Sequence, residues 1–376
     1  MRLLIHDLTE EAFAAIAGEY AGWDVVSDQG SIRPCVGCFG CWTKQPGQCV
    51  IEDGYQHMAR QIHAAEEITV LTRYTYGGFS PFVKNVFDRS IGVVLPFFEV
   101  VDGEMHHQRR YPEKKPVSFH FRGAKFTEAD QRKAWRYVSA VCRNLRGTVK
   151  AVTFTECPEQ TPREALIPQE PEGRPILLNC SLRGGQANTN TFLDALASFL
   201  KEEPERIDLA AYLKKPEELT EKLARAARVV LGTPLYVDGL PSSALRVMQA
   251  LSRRSYDNGK RIYVAANMGL YESHQLRNLL GMVETWCEES GYVYSGGAAI
   301  GAGPMFGAVS PEHLPGKNAL AALKNLTAAI DRGETTQNFY ANAYCFPRRT
   351  YILAANASWP KIAKKHGLSR KDLLRG

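Results

Sequence analysis

Cys35, Cys38, Cys41 and Cys49 stand in the run SIRPCVGCFGCWTKQPGQCV, at the spacing C-x2-C-x2-C-x7-C. Four of the nine cysteines are therefore gathered in one short stretch. Three thiols two residues apart can converge on one face of a cubane, and a fourth nearby can close the site. That is how thiolates hold an iron–sulfur cluster.

A second stretch, NCSLRGGQANTNTFL, carries a different chemistry. A strand-like run ends at Cys180, a glycine-rich loop follows, and a helix begins at TFLDALASFL. Ser181, Asn188, Thr189 and Asn190 can donate hydrogen bonds, and Arg183 can pair with a dianion. Gly184 and Gly185 let the backbone wrap closely. Loop amides and a helix N-terminus aim positive partial charge at one point, which suits a phosphate. A polar surface turn with a good N-cap is the plainer alternative. The loop lacks the glycine-lysine-serine/threonine ending of a Walker motif and the G-x-G-x-x-G of a dinucleotide site. In the first part of the chain the corresponding strand leads into HDLTEEAF, where Asp7, Glu10 and Glu11 would repel a phosphate.

Tyrosines mark two further places. Thr233-Pro234-Leu235-Tyr236-Val237 follows one apolar run, and Arg73-Tyr74-Thr75-Tyr76-Gly77-Gly78 follows its counterpart. In open parallel sheets, ligands lie beyond the C-terminal strand ends. A tyrosine with neighbouring backbone amides there can line one face of a planar ring. Asn267, Met268 and Gly269, at the end of the next run, could form the other wall. Tyrosines that merely cap the sheet are the alternative.

The elements that must position these residues can be read along the chain. With 376 residues, two domains are expected. A hydrophobic fraction of 44% and a charged fraction of 23% are ordinary for a globular protein. The net charge of +6 is scattered, compatible with an anionic ligand and without the blocks of a nucleic-acid or membrane binder. The start, MRLLIHDLTEE, does not read as a signal peptide. The apolar run 91–98 is short and contains Pro96, so no membrane span is expected. A reducing, cytoplasmic setting is expected, where clustered cysteines bind metal or do redox work.

Strand-like runs alternate with helical periodicity from residue 3 to 154, and the plan restarts at Pro175. Alternation of this kind implies a parallel sheet covered on both faces. The predicted fold is α/β, with two doubly wound parallel sheets in tandem. The expected boundaries are 1–156 for the first domain, 157–174 for a Pro/Glu-rich linker, 175–310 for the second domain and 311–376 for a helical extension. His106 and His107, in the charged stretch GEMHHQRRY, read as part of a solvated loop or lid.

At these residues the chain resembles the flavodoxin-like NAD(P)H-dependent FMN reductases, and within them the iron–sulfur flavoproteins. CVGCFGCWTKQPGQCVIEDG, YTYGGFSPFVKNVFDRS and NCSLRGGQANTNTFL carry the likeness, and TPLYVDGLPSSALR repeats the second stretch. The resemblance implies FMN phosphate on Ser181, Arg183, Asn188 and Thr189, with Gln186 and Asn190 counted in the same cofactor-binding loop. It implies isoalloxazine contacts from Pro234, Leu235, Tyr236, Val237, Asn267, Met268 and Gly269. It implies a 4Fe-4S cluster on Cys35, Cys38, Cys41 and Cys49, with zinc or free, disulfide-prone thiols as the alternatives. Cys180 and Leu182 depart from the family's phosphate loop, and Gly54 replaces the second residue of its acidic pair.

The activity so implied is electron transfer from NAD(P)H through FMN to a small-molecule or redox-protein acceptor. The alternatives are a one-electron carrier and a thiol redox sensor. Family members pair as dimers, so an internal pseudo-dimer is expected, with further homo-oligomers open. Partners of the nucleic-acid and membrane classes are not expected.

Overall fold

A computed structural model describes residues 1–157, 167–168, 173–253, 256–257 and 259–375. Chain contacts divide it into two compact units, Met1–Gln160 with Ile352–Gly376, and Thr161–Tyr351. Most of the linker expected at 157–174 lies outside the described residues.

The first unit runs β1 (Arg2–His6), α1 (Glu10–Ala14), β2 (Asp24–Ser27), α2 (Gly40–Thr43), α3 (Met58–Ala64), β3 (Glu67–Arg73) and α4 (Pro81–Asp88). It continues with β4 (Val94–Val101), β5 (Glu104–Arg109), β6 (Pro116–Gly123), α5 (Glu128–Asn144) and β7 (Thr148–Glu156). Its five-stranded sheet has the order β2-β1-β3-β6-β7, parallel throughout. Counted along the sheet's own strands, that is the 2-1-3-4-5 order of flavodoxin-like folds. The central strands are apolar on both faces, with Leu3, Leu4, Ile5, Val70, Phe119 and Phe121 fully buried, as a sheet sandwiched between helices requires. Helix α5 starts in a capping box, with Thr127 and Asp130 each bonding the other's backbone N–H.

One antiparallel hairpin, β4–β5, departs from the alternating plan. Its turn, Asp102-Gly103, has φ of 52° and 84°, the left-handed pair that suits hairpin twist. Within GEMHHQRRY, Glu104–Arg109 is therefore a strand. Met105 and His106 are buried on it, so the solvated loop expected there is corrected.

The second unit contains β8 (Ile167–Pro168), β9 (Ile176–Asn179), α6 (Asn188–Phe199), β10 (Glu205–Asp208), α7 (Pro216–Arg225), β11 (Arg228–Pro234) and α8 (Ser242–Arg253). Then come β12 (Tyr256–Asp257), β13 (Arg261–Asn267), α9 (Arg277–Ser290), β14 (Val293–Ile300), α10 (Lys317–Arg332) and β15 (Phe339–Ala341). Strands β8 and β12 form a short ladder of their own. The main sheet is parallel, in the order β10-β9-β11-β13-β14-β15. It has the same flavodoxin-like order with one strand added at the edge.

Beyond residue 310 the described chain holds helices and the strand β15, joined by irregular segments, and it is shared between the units. Helix α10 and β15 belong to the second. Helix α11 (Arg348–Lys364) begins there, and its continuation from Ile352, with α12 (Arg370–Leu373), counts with the first. The physical reason is a small apolar cluster in the first unit, where Ala363 and Leu373 are buried against Leu95 and Phe97 of β4. Among the described residues, no helix is long and apolar enough to cross a membrane.

Candidate functional site

The cysteines of the first unit lie on the loop between β2 and α3. Cys41 and Cys49 are buried, Cys35 is half-buried and Cys38 is exposed. Phe39 takes φ of 56° to turn the chain into the single turn of α2. The next residue must be glycine, because a Cβ on Gly40 would stand 2.7 Å from Val50. The Gly40 N–H donates to Cys38 Sγ at 3.4 Å.

Burial, reinforced by Asp88, Cys49 and Cys38, pushes the Cys35 thiol up to about 12. Burial also pushes Cys41 well up, with Cys35, Cys49 and Cys38 adding to it. The four sulfurs thus share one electrostatic neighbourhood. Among the described residues, no three His, Cys, Asp or Glu side chains form a ligand group for a metal ion. Among the described residues, no two of the nine cysteines are joined by a disulfide.

Helix α4, missed as a functional element by the sequence reading, holds this loop. All eight of its residues are buried. Asn85 accepts the Cys35 N–H at 3.2 Å and donates to Arg33 O at 3.1 Å. Arg89, the helix C-cap, donates to Arg33 O at 3.2 Å and Ile51 O at 2.8 Å, and pairs with Asp53. Lys84 and Asp88 form a fully buried ion pair one turn apart. Polar residues on a short helix ordinarily read as a solvated face, which is why the sequence hid them. The matching positions of α8 are Leu245, Arg246, Gln249 and Ala250, so the charged stripe belongs to the unit with the thiols.

Beside the cysteines lies an aromatic cluster. Phe39 and Trp42 stack with centroids 5.3 Å apart. Trp359 of α11 meets both edge-on, at 5.5 Å and 5.4 Å.

In the second unit the candidate phosphate loop is shaped by a residue the sequence reading left out. Buried Asn179, the last of β9, donates to Asn190 Oδ1 and Asp208 Oδ1, each at 2.8 Å. Its Oδ1 accepts the Ser181 N–H at 3.0 Å. Asn190 in turn donates to Gly184 O at 2.7 Å, so its amide shapes the loop. Ser181 is buried and its hydroxyl accepts the Arg183 N–H at 3.4 Å. Gly184 has φ of +55°, and around both Gly184 and Gly185 there is open space where a Cβ would be. Arg183 and Gln186 are exposed. Helix α6 starts at Asn188 behind Ala187, which has no side chain to cap it. The positive end of the helix dipole is therefore at this loop.

The candidate ring-wall residues lie at the same strand ends. Asn267 donates to the buried Thr189 hydroxyl at 3.0 Å and accepts the Leu235 N–H at 2.8 Å through its carbonyl. These two bonds tie the phosphate loop, the β11 loop and the β13 loop together. Pro234 ends β11, and Tyr236 and Gly239 exchange two backbone hydrogen bonds of 3.0 Å. Between them Val237 and Asp238 take φ of 36° and 61°. Left-handed backbone at a β-branched valine is strained, a condition that clusters at ligand-binding turns. Met268 is buried, and Gly269 O accepts the Tyr351 hydroxyl at 2.8 Å. The loop after β14 joins this edge as well. Gly303 donates to Met268 O at 2.8 Å, and a Cβ on Gly307 would lie 3.2 Å from Asn188 Oδ1. The glycine-rich run after β14 was the available signal for it.

No family model and no curated protein matches the chain. Among solved structures, RosB with bound 8-demethyl-8-formylriboflavin-5'-phosphate is similar at 16% identity and TM-score 0.35, over 42% of this chain and 79% of that one. An azoreductase from Bacillus anthracis str. Sterne is similar at 13% identity and TM-score 0.31, over 42% of this chain and 98% of that one. The flavodiiron core of Flv1 from Synechocystis sp. PCC6803 is similar at 10% identity and TM-score 0.27, over 96% of this chain and 87% of that one. The fold assignment rests on the strand order, not on these likenesses.

Proposed function

We propose that the second unit binds FMN and that the chain is a flavin-dependent oxidoreductase drawing electrons from NAD(P)H. One observation carries the reading: the Thr189–Asn267–Leu235 linkage joins an uncapped helix N-terminus to the loops of the candidate ring wall. A cradle for a phosphate and a wall for a planar ring then belong to one cofactor.

In this reading Ser181, Arg183, Gln186, Asn188 and Thr189 surround the phosphate, and Asn190 shapes their loop. Pro234, Leu235, Tyr236 and Val237 offer one side of the ring pocket, with Asn267, Met268 and Gly269 opposite. Bound FMN supplies hydride acceptance and the release of electrons singly or in pairs; the protein supplies binding, orientation and electrostatics.

Cys35, Cys38, Cys41 and Cys49 are proposed as ligands of a 4Fe-4S cluster. Four thiols in one neighbourhood, with an N–H bonded to Cys38 Sγ and the Arg89 charge near Cys49, suit an anionic thiolate-ligated centre. The electron acceptor is proposed as a small molecule or a redox protein.

The test is an anaerobic absorption spectrum of the purified protein titrated with FMN, then with NADH or NADPH, with iron and sulfide assayed on the same sample. Saturable flavin binding and bleaching by a nicotinamide are expected. Failure to bind FMN overturns the reading. Bleaching only by a reduced protein partner makes the chain a carrier.

A further inference from the structure

Arg89 occupies an unusual position for a guanidinium. Its side chain is fully buried. Through Arg33 O it grips the start of the cysteine loop, and through Ile51 O and Asp53 it grips the end. All four cysteines lie between those two grips. The guanidinium also lies near enough to the Cys49 thiol to interact with it electrostatically, and Nε is buried without a hydrogen-bond partner.

Asp53, the carboxylate that offsets its charge, is committed elsewhere too. It accepts the Arg33 N–H at 2.8 Å and the Tyr55 N–H at 3.1 Å. A second cation stands near. Arg110 interacts with Cys41, donates to Gly92 O at 2.7 Å, and leaves Nη2 buried without a partner. A buried guanidinium with a donor to spare costs free energy unless the site gives it an anion.

We propose that Arg89 is the positioning residue of the cysteine site, holding the two ends of the loop so that the four thiols stay in one neighbourhood and placing a positive charge beside Cys49 for an anionic sulfur-ligated centre. The proposal rests on the reading of the cysteines given under Proposed function. Its two parts are separable. Closing the loop requires the planar fork of arginine, which can reach Arg33 O, Ile51 O and Asp53 together. The charge requires only a cation, and lysine supplies that as a point.

The experiment compares wild type, Arg89→Gln and Arg89→Lys in two states. In metal-free protein, iodoacetamide alkylation of Cys49 and Cys41 is followed by mass spectrometry. Both variants should be alkylated at least about tenfold faster, the change in local opening expected from losing one charge-assisted hydrogen bond. After reconstitution with ferrous iron and sulfide, the centre in Arg89→Gln should have a more negative reduction potential than wild type, and Arg89→Lys should restore it. A merely structural arginine would not give that split.

Unchanged alkylation in both variants overturns the closing role, and an unchanged potential in Arg89→Gln overturns the charge role. If Arg89→Gln does not fold, Asn85→Ala opens the same seam at Cys35 and should speed alkylation likewise. Wild type that takes up no iron refutes the cluster reading, while the alkylation rates still decide the closing role.

Discussion

The Asp7 carboxylate accepts the Arg73 backbone N–H through both oxygens, at 3.2 Å and 2.9 Å. Asp7 follows β1 as Cys180 follows β9, because the two residues donate to matching carbonyls, Leu71 O and Gly232 O. Arg73 correspondingly matches Pro234, which has no N–H to give. In the first unit, then, a built-in anion sits at the strand ends and consumes a backbone donor. Helix α1 behind it is short and opens with Glu10 and Glu11. The expected outcome is one FMN per chain. Isothermal titration should saturate near one equivalent, and a second tight equivalent would show that the carboxylate does not bar the first unit.

Within the second unit, Arg183 is the only cationic side chain in the stretch 181–190. Arg183→Ala should weaken FMN binding by roughly 1.5–3 kcal/mol, the worth of a charge-assisted hydrogen bond to a phosphate. Flavin fluorescence quenching measures it. Affinity equal to wild type would move the phosphate off this loop.

Much of this fold was legible because parallel strands buried on both faces leave unmistakable apolar runs. EITVLTR and RIYVAAN are of that kind, and the helices between them keep their period. The hairpin β4–β5 was missed although Asp102-Gly103 is a strong turn signal, because GEMHHQRR is charged and its adjacent Met105 and His106 are both buried, one on each face, so it shows no period-2 alternation. Strand β15 is only three residues long and has no period to read. The glycine loop and the cysteines could be found because their chemistry is local. Asn179, Asn85 and Arg89 could not, since each acts on residues distant in sequence and none is of a type that announces a site.

Acid should strike the first unit before the second. His6, His63, His106, His107 and His120 all lie in it, and burial lowers each below the ordinary 6.5, His107 to about 4. A histidine held neutral in the fold and free to protonate when unfolded binds more protons in the unfolded state. Stability is then fully present above 6.5 and falls with pH toward the folded value. For His107 the loss by pH 4 is on the order of 3 kcal/mol. Hydrogen exchange with mass spectrometry across pH 7 to 4 should show protection lost first in β1, β4, β5 and β6. Earlier loss in β9, β11 and β13 would contradict this.

The last residues of the chain should be needed by the first unit, though all of the second unit separates them in sequence. Asn356 donates to Phe98 O at 3.1 Å and accepts the Phe98 N–H at 2.7 Å, completing the backbone pairing of a β4 residue. Arg110 donates to Leu373 O at 3.0 Å, and also to Arg375 O. Trp359 covers Phe39 and Trp42 beside the cysteines. A chain stopped after Tyr351 would expose Leu95 and Phe97, leave the Phe98 N–H without its Asn356 acceptor and uncover Trp42. Removing the buried Ala363 and Leu373 together with Trp359 should cost the first unit at least about 3 kcal/mol. In a urea titration followed by hydrogen exchange, β4 and β5 of the shortened chain should open at lower denaturant while β11 and β13 keep their midpoint. Equal midpoints for β4 in the full and shortened chains would mean that this segment only rests on the first unit and does not hold it.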